Sequence, residues 1–427
     1  MVDHARQEQG GVVTDRLVGA SERILAVDEL CYSRTDARGV IACANSVFHE
    51  LWGYARGDLD GAPHSIIRHP DMPKGLFWLL WQTLQAGLPV GAYVKNLTRD
   101  GKSHWCFALI EPAAGGHVSV RMRPQGGLFG PVTALYPQML AAEAAGATPQ
   151  ESSALLLAGL SEAGFASHAS LQGAAMLAEA QAQAEHRRDK GLATTLSQLA
   201  RLREATSQLA RENLQLMDLF TSLHLVPTNM RLLASRIEPS GGPITAISDS
   251  YKRASAEIVG LLHRLTGSAA QGSGLMATRL DEAAFRTAAA GVQQMACAQL
   301  RAEAGRPPEG AGHAEAAILC ATSASSLARA RAGIAELGAL VEGVRRDDEA
   351  LLRQMSGLDQ IRILGQVESG RNRNRDGDLV SVMEQLSGFH AAIHNRLDSI
   401  LTLTAQMQAI TGALNDAAQS QTSFKAA

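Results

Sequence analysis

Arg68-His69-Pro70-Asp71-Met72-Pro73 is the stretch on which the fold turns. Its two prolines fix φ and interrupt regular structure, so it reads as a shaped turn. Upstream, Gly39-Val40-Ile41-Ala42-Cys43-Ala44-Asn45 alternates like a strand, and a short helical segment ends in Leu51-Trp52-Gly53-Tyr54. Downstream comes a helix bearing Phe77, Trp78, Leu80, Trp81 and Leu84. Val94-Lys95-Asn96, a turn at Asp100-Gly101 and the run His104-Trp105-Cys106-Phe107-Ala108 follow, spaced like a hairpin.

This order of strand, short helices, longer helix and hairpin strands resembles a PAS sensor domain, and in particular that of bacterial aerotaxis receptors, over roughly residues 20–124. The resemblance implies an α+β domain, an antiparallel sheet flanked by short helices, holding a ligand in a small cup. It also implies FAD as the ligand and nominates Arg68, His69 and Asp71, with Trp105 and Asn45, as cofactor-binding residues. Arg68 can neutralise a phosphate or polarise a flavin carbonyl, while His69 and Asp71 offer directional hydrogen bonds. The same residues fit a structural knot, with Asp71 capping the following helix and Arg68 paired to it. Val90 stands where the family has a tryptophan, and Phe107 and Leu109 replace an Arg and an Asn expected to face the cup. Haem, held by an axial histidine (His49, His64, His69 or His104), and an empty apolar cup are the alternatives to FAD.

Composition changes sharply beyond the cup. All four tryptophans and three of the five tyrosines lie before residue 125, and the sequence beyond is rich in Ala, Leu, Gln, Glu and Arg. Pro124-Gln125-Gly126-Gly127-Leu128-Phe129-Gly130-Pro131 marks the boundary, giving an N-terminal extension over 1–19, a PAS domain over 20–124 and a linker over 125–136. A mostly α-helical coiled-coil or bundle region follows: 137–270, with an antiparallel hairpin turning at 238–243, then further helical segments over 271–427. Apolar residues step by three and four through Leu199, Leu202, Leu209, Leu216, Phe220, Leu223, Met230, Ala234 and Ile237, and again from Ile244 to Leu265. Asn213 falls at a core-type position of this seam, and Pro227 is expected to bend the first arm.

The hairpin is similar in spacing to the tip of methyl-accepting chemotaxis receptors through Asn229, Ala234, Arg236, Gly241 and Ile244. That resemblance implies contact of Asn229, Ala234 and Arg236 with a chemotaxis histidine kinase and its coupling adaptor. Leu233 stands where the family has a glutamate, Pro243 replaces a glycine, and Pro227 is foreign to the tip.

Other classes are disfavoured. A net charge of −3 gives no electrostatic case for nucleic acid, and no apolar run reaches membrane-spanning length. The five cysteines are widely spaced and read as thiols in a reducing cytoplasm. No phosphate-cradling loop or zinc-protease helix occurs, so no enzymatic activity is expected. His390 and His394, one turn apart, read as face residues of an amphipathic helix. The expectation is a cytoplasmic dimer, paired through its helices, in which a PAS cup senses redox state or a small ligand. A cofactor-free PAS scaffold is the alternative.

Overall fold

The computed structural model describes residues 25–223, 225–237, 242–304, 311–371 and 377–426. The chain divides into two compact units, one of residues up to 196 together with 284–329, the other of 197–283 together with 330–427.

In the first unit, β1 (Cys31–Asp36) and β2 (Ile41–Ala44) lead into α1 (Ser46–Trp52), α2 (Arg56–Leu59) and a 3-10 turn at His64–Ile67. Then come α3 (Lys74–Gln85), β3 (Val90–Leu97), β4 (Ser103–Ala113) and β5 (Gly116–Met122). The five strands form one antiparallel sheet in the order β2-β1-β5-β4-β3. Asn45 starts α1 by accepting from the Phe48 amide, and Gly53 ends it in a left-handed conformation at φ 72°. The expected mixed α+β cup is therefore present, with its core around Phe48, Trp52, Leu59 and Ile67.

Period-two alternation gives the sheet two faces. On the inner face, Val90 packs with Leu80 and Leu84, and the Trp52 ring lies 4.3 Å from that of His104. The outer face meets α4 (Phe129–Thr133), α5 (Tyr136–Ala144) and α7 (His168–His186), and α6 (Pro149–Glu162) packs on α3. Residues 125–136, expected as a linker, include α4, and the buried Glu179 carboxylate on α7 accepts from the Gln125 and Gly126 amides at 2.7 and 2.9 Å. A Cβ on Gly126 would lie 2.8 Å from that carboxylate, which explains the glycine there.

The rest of the outer face is covered by residues far away in sequence, from α10 (Pro243–Ala304) and α11 (Ala311–Arg371). Glu315 accepts from Tyr32 Oη at 2.7 Å and pairs with Arg34 at 2.8 Å. Glu111 of β4, buried, accepts from Gln293 and Ser326. Glu303 accepts from Asn45 Nδ2 and the Ser46 amide. Segment 284–329 thus belongs to the sensor unit, a long-range arrangement that local periodicity does not encode.

Cys297 and Cys320 join these two helices in a disulfide with a Cα–Cα separation of 6.1 Å. This corrects the reading of all five cysteines as thiols; Cys31, Cys43 and Cys106 are outside the disulfide. Wide sequence spacing hid a pair that helix packing brings together. Reduction reopens a closed loop whose ends lie 23 residues apart, and should lower the first unit's stability by about 3 kcal/mol. Guanidinium melts with and without dithiothreitol check this, with Cys297→Ser expected to match the reduced protein. Coincident midpoints would show that the cross-link contributes nothing.

The second unit is helical, built from most of α8 (Lys190–Leu223), α9 (Leu225–Ile237), the adjoining parts of α10 and α11, and α12 (Gly377–Ala426). Leu202, Leu209, Leu216 and Phe220 are buried as the seam requires, as are Met383, Leu386, Ile393, Leu397, Ile400 and Met407. That burial arises within one chain. Asn213 is only half-buried, flanking the seam rather than filling it. In the first arm α8 ends at Leu223 and α9 begins at Leu225, and residue 224, near the bend expected at Pro227, lies outside the described residues. α9 ends at Ile237 and α10 begins at Pro243; turn residues 238–241 lie outside the described residues.

His390, on a face of α12, is buried. Its Nδ1 lies 2.7 Å from Asp359, which also meets His394 Nε2 at 2.9 Å, while Tyr251 Oη is 2.7 Å from His390 Nε2. Asp359 reaches both histidines from another helix, α11. Among the described residues no group of His, Cys, Asp and Glu has metal-binding geometry.

Candidate functional site

The Arg68–Pro73 segment runs along β3, an outer strand of the sheet. Arg68 bridges to Asn96, and the His69 amide donates to the Lys95 carbonyl at 3.3 Å. The segment therefore covers backbone groups that an edge strand would leave open. The Arg68 guanidinium lies 3.8 Å from the Phe77 ring centroid and donates to the Met72 carbonyl. Asp71 is exposed and pairs with Lys95 at 2.8 Å, a contact that holds its carboxyl below the ordinary value. It does not cap α3, as the knot reading expected. That role falls to Glu143 of α5, whose carboxylate accepts from the Lys74 and Gly75 amides at 2.9 Å each and from Ser152.

His69 is fully buried. Burial and the nearby Lys95 lower its pKa, so the ring is neutral. Its Nδ1 accepts from the Asp71 amide at 3.1 Å, which places the proton on Nε2, a buried donor without a hydrogen-bond partner.

The other two nominated residues sit elsewhere. Trp105 lies on the outer face, with its ring 5.4 Å from Phe129 and 6.1 Å from Tyr136. Asn45 is buried, its Oδ1 accepting from the Tyr32 and Phe48 amides and its Nδ2 donating to Leu30 and Glu303, which uses its full hydrogen-bonding capacity. Phe107 and Leu109 also share the outer parity with Trp105, so their apolar character takes nothing polar from the cup. Val90 is on the inner face.

What converges inside the cup is a set that the hexapeptide did not reveal. β5 reads His117-Val118-Ser119-Val120-Arg121-Met122, and its odd-numbered residues point inward. Arg121 is 3% exposed, donates to Ser33 Oγ at 3.2 Å, and meets His64 Nε2 at 2.8 Å. Burial first, then the Arg121 charge, push the His64 pKa well below the usual value, so neutral His64 accepts from the guanidinium. Arg121 Nε, Ser119 Oγ and Trp52 Nε1 are buried without hydrogen-bond partners among the described residues. The signal was legible, since a strand with a polar residue at every second position has one polar face.

Burial pushes the Cys106 thiol up to about 12 and raises that of Cys31 as well, so both remain protonated and unreactive at neutral pH. The cup is thus not a thiolate site. A cavity holding about one water lies elsewhere, lined by Gly91, Tyr93, Tyr136, His168 and Gln172. Burial pushes His168 down to about 4.

Stability should therefore fall with acid. His64, His69 and His168 are held neutral in the folded chain but protonate below about 6.5 when unfolded, so the unfolded state takes up more protons. Their contribution is complete above pH ~6.5 and drains away as pH falls towards 4, with His168 alone accounting for up to about 3 kcal/mol. Urea midpoints between pH 7.5 and 5 check the slope, which His168→Gln should flatten. An unchanged slope in that variant would contradict the assignment.

Residues 41–122 match the family described as the PAS fold. The sheet and its inner helices form a PAS domain. Over 104 residues the chain is 38% identical to the aerotaxis receptor of Escherichia coli (strain K12), a match covering 23% of this chain and 21% of that receptor. The chain thus spans about a fifth of the length of this curated relative. Among solved structures, the LOV domain of the Erythrobacter litoralis EL346 blue-light activated histidine kinase matches at 16% identity and TM-score 0.20, over 22% of this chain and 90% of that one. A variant of the fungal photoreceptor VVD matches at 15% identity and TM-score 0.20, over 22% and 75%. Among the described residues no helix is long and apolar enough to cross a membrane.

Asn229 of the tip-like pattern is exposed on α9; the side chains of Ala234 and Arg236 lie outside the described residues.

Proposed function

We propose that this chain is a cytoplasmic signal-transduction sensor of the aerotaxis type, not an enzyme, whose PAS cup holds FAD and reports redox state through its helices. The observation that carries this reading is the inner face itself, where a buried guanidinium, an indole N–H, a hydroxyl and histidine nitrogens lack full partners. Leaving such groups unsatisfied costs about 1–3 kcal/mol each, and they suit a planar heteroaromatic with carbonyl and ring-nitrogen acceptors. The residues present therefore fit a flavin, with Arg121, Trp52 and His69 as donors and Ser119 as donor or acceptor. A bound flavin would supply reversible electron uptake. The protein's part is to hold it out of water and to respond to its change of charge. Haem fits less well, because neutral His64 already accepts from Arg121 and His69 Nδ1 from the Asp71 amide.

The response has a route inside the sensor unit. α3 is capped by Glu143 of α5, and Gly75 sits so close to α6 that a Cβ there would lie 2.6 Å from Ser152 Oγ. A shift of the cup wall must therefore move α5 and α6. About 1–3 kcal/mol of coupling suffices for a useful response. The output is binding, with Asn229, Ala234 and Arg236 meeting a chemotaxis histidine kinase and its coupling adaptor. Pairing of two copies would use faces other than the seam, which one chain already covers.

Absorption spectroscopy of the freshly purified chain tests the reading. A flavin spectrum that bleaches on reduction is expected. A colourless protein that takes up no added FAD would favour the cofactor-free scaffold.

A further inference from the structure

Among the described residues, the cup contains a charge with no counter-charge. Arg121 is 3% exposed, yet among the described residues no carboxylate pairs with it. Its neighbours are the Ser33 hydroxyl, the neutral His64 ring and, 5.9 Å away, the Phe48 ring. Two thiols also lie near it, Cys31 opposite it on β1 and Cys106 on β4, and both stay protonated. Among the described residues the guanidinium Nε–H has no hydrogen-bond partner, and neither has Ser119 Oγ, 95% buried two residues away on the same face.

Elsewhere the fold does supply carboxylates to buried donors. Glu315 meets Arg34 and Tyr32, Glu179 holds the Gly-rich segment, and Glu143 caps α3. The bare guanidinium is thus a local exception. Burying an ion without a partner is among the most expensive arrangements in a protein interior. A hydrophobic side chain of similar length would serve the core better, so a ligand is the natural source of the missing partner.

We propose that Arg121 is the ligand's charge partner: the cup selects an occupant with an anionic or strongly accepting edge, which docks on the guanidinium beside Ser119. This deepens the flavin reading and rests on it for the identity of the occupant, though not for the class of its binding edge. Arg121 is then a binding residue, and Ser33 and His64 are positioning residues that hold the guanidinium in place through its terminal nitrogens, leaving Nε free.

The full-length chain, stripped of ligand, is compared with Arg121→Met and Arg121→Lys by two readouts, thermal midpoint without ligand and affinity for added FAD. Arg121→Met should melt about 3 °C or more higher than the parent, because the unpaired charge is gone, and should bind FAD at least tenfold more weakly. Arg121→Lys, which keeps the charge on a thinner stem, should retain part of the affinity. A lower midpoint for Arg121→Met, or its failure to fold, would overturn the proposal by making the guanidinium a structural tie. Equal FAD affinity in parent and Arg121→Met would overturn it while leaving the flavin reading standing. If the parent itself takes up no FAD, the flavin reading falls. The midpoints still decide, since a raised value sustains a site built for another anionic ligand and a lowered one ends it.

Discussion

Glu315→Ala is expected to destabilise the sensor unit by about 3 kcal/mol and to loosen α10 and α11 residues 284–329 from the sheet. The carboxylate serves two strand residues at once, accepting from Tyr32 Oη at 2.7 Å and forming a two-pronged pair with Arg34. Tyr32 is fully buried, and burial with the Glu315 bond keeps its phenol protonated as a donor. Removing the acceptor leaves that hydroxyl unsatisfied, which by itself costs about 1–3 kcal/mol. Arg34 is partly exposed and can turn to water, so its share is smaller. Urea melts should show the loss, and limited proteolysis should cut between 284 and 329 faster than in the parent. Arg34→Ala should lose less than Glu315→Ala. If Glu315→Ala matched the parent in both assays, the helices would not be held by this contact.

Gly75→Val should be comparably severe, by about 2–4 kcal/mol, and for a different reason. A Cβ at this position lies 2.6 Å from both Ser152 Oγ and the Ser153 backbone nitrogen, and backbone cannot yield as a flexible side-chain tip can. α3 and α6 must separate, which also pulls the Lys74 and Gly75 amides from Glu143. Glu143→Ala removes the cap and the Ser152 acceptor but forces no clash, and should cost about 1–2 kcal/mol. Thermal melts rank the pair. A Gly75→Val protein as stable as the parent would show that α3 and α6 do not meet at this point, and the proposed route from cup to helices would lose its first step.

Much of this architecture was legible in the residues, for identifiable reasons. Strand alternation, the glycine turns and the apolar face of α3 are local patterns, and they place the sheet and its cover. The polar parity of β5 was equally visible and names Arg121 and Ser119, yet the conspicuous hexapeptide drew attention to an edge strand instead. Trp105 shows the limit of motif reasoning. Its side-chain direction follows from strand register, and the register puts it with Phe107 on the outer face. The docking of residues 284–329 depends on contacts across more than 200 positions, such as that of Tyr32 with Glu315, and the disulfide on the packing of two helices against each other; no local periodicity encodes either. The partners of His390, Tyr251 and Asp359, come from other helices and are equally beyond local patterns.

Hydrogen–deuterium exchange, read by mass spectrometry on the FAD-loaded chain before and after chemical reduction, tests the central claim most directly. Peptides spanning 65–76 and 136–153 are predicted to change protection together, because Glu143 and Gly75 bind α3 to α5 and α6. Bleaching of the flavin with unchanged exchange in both regions would contradict the account.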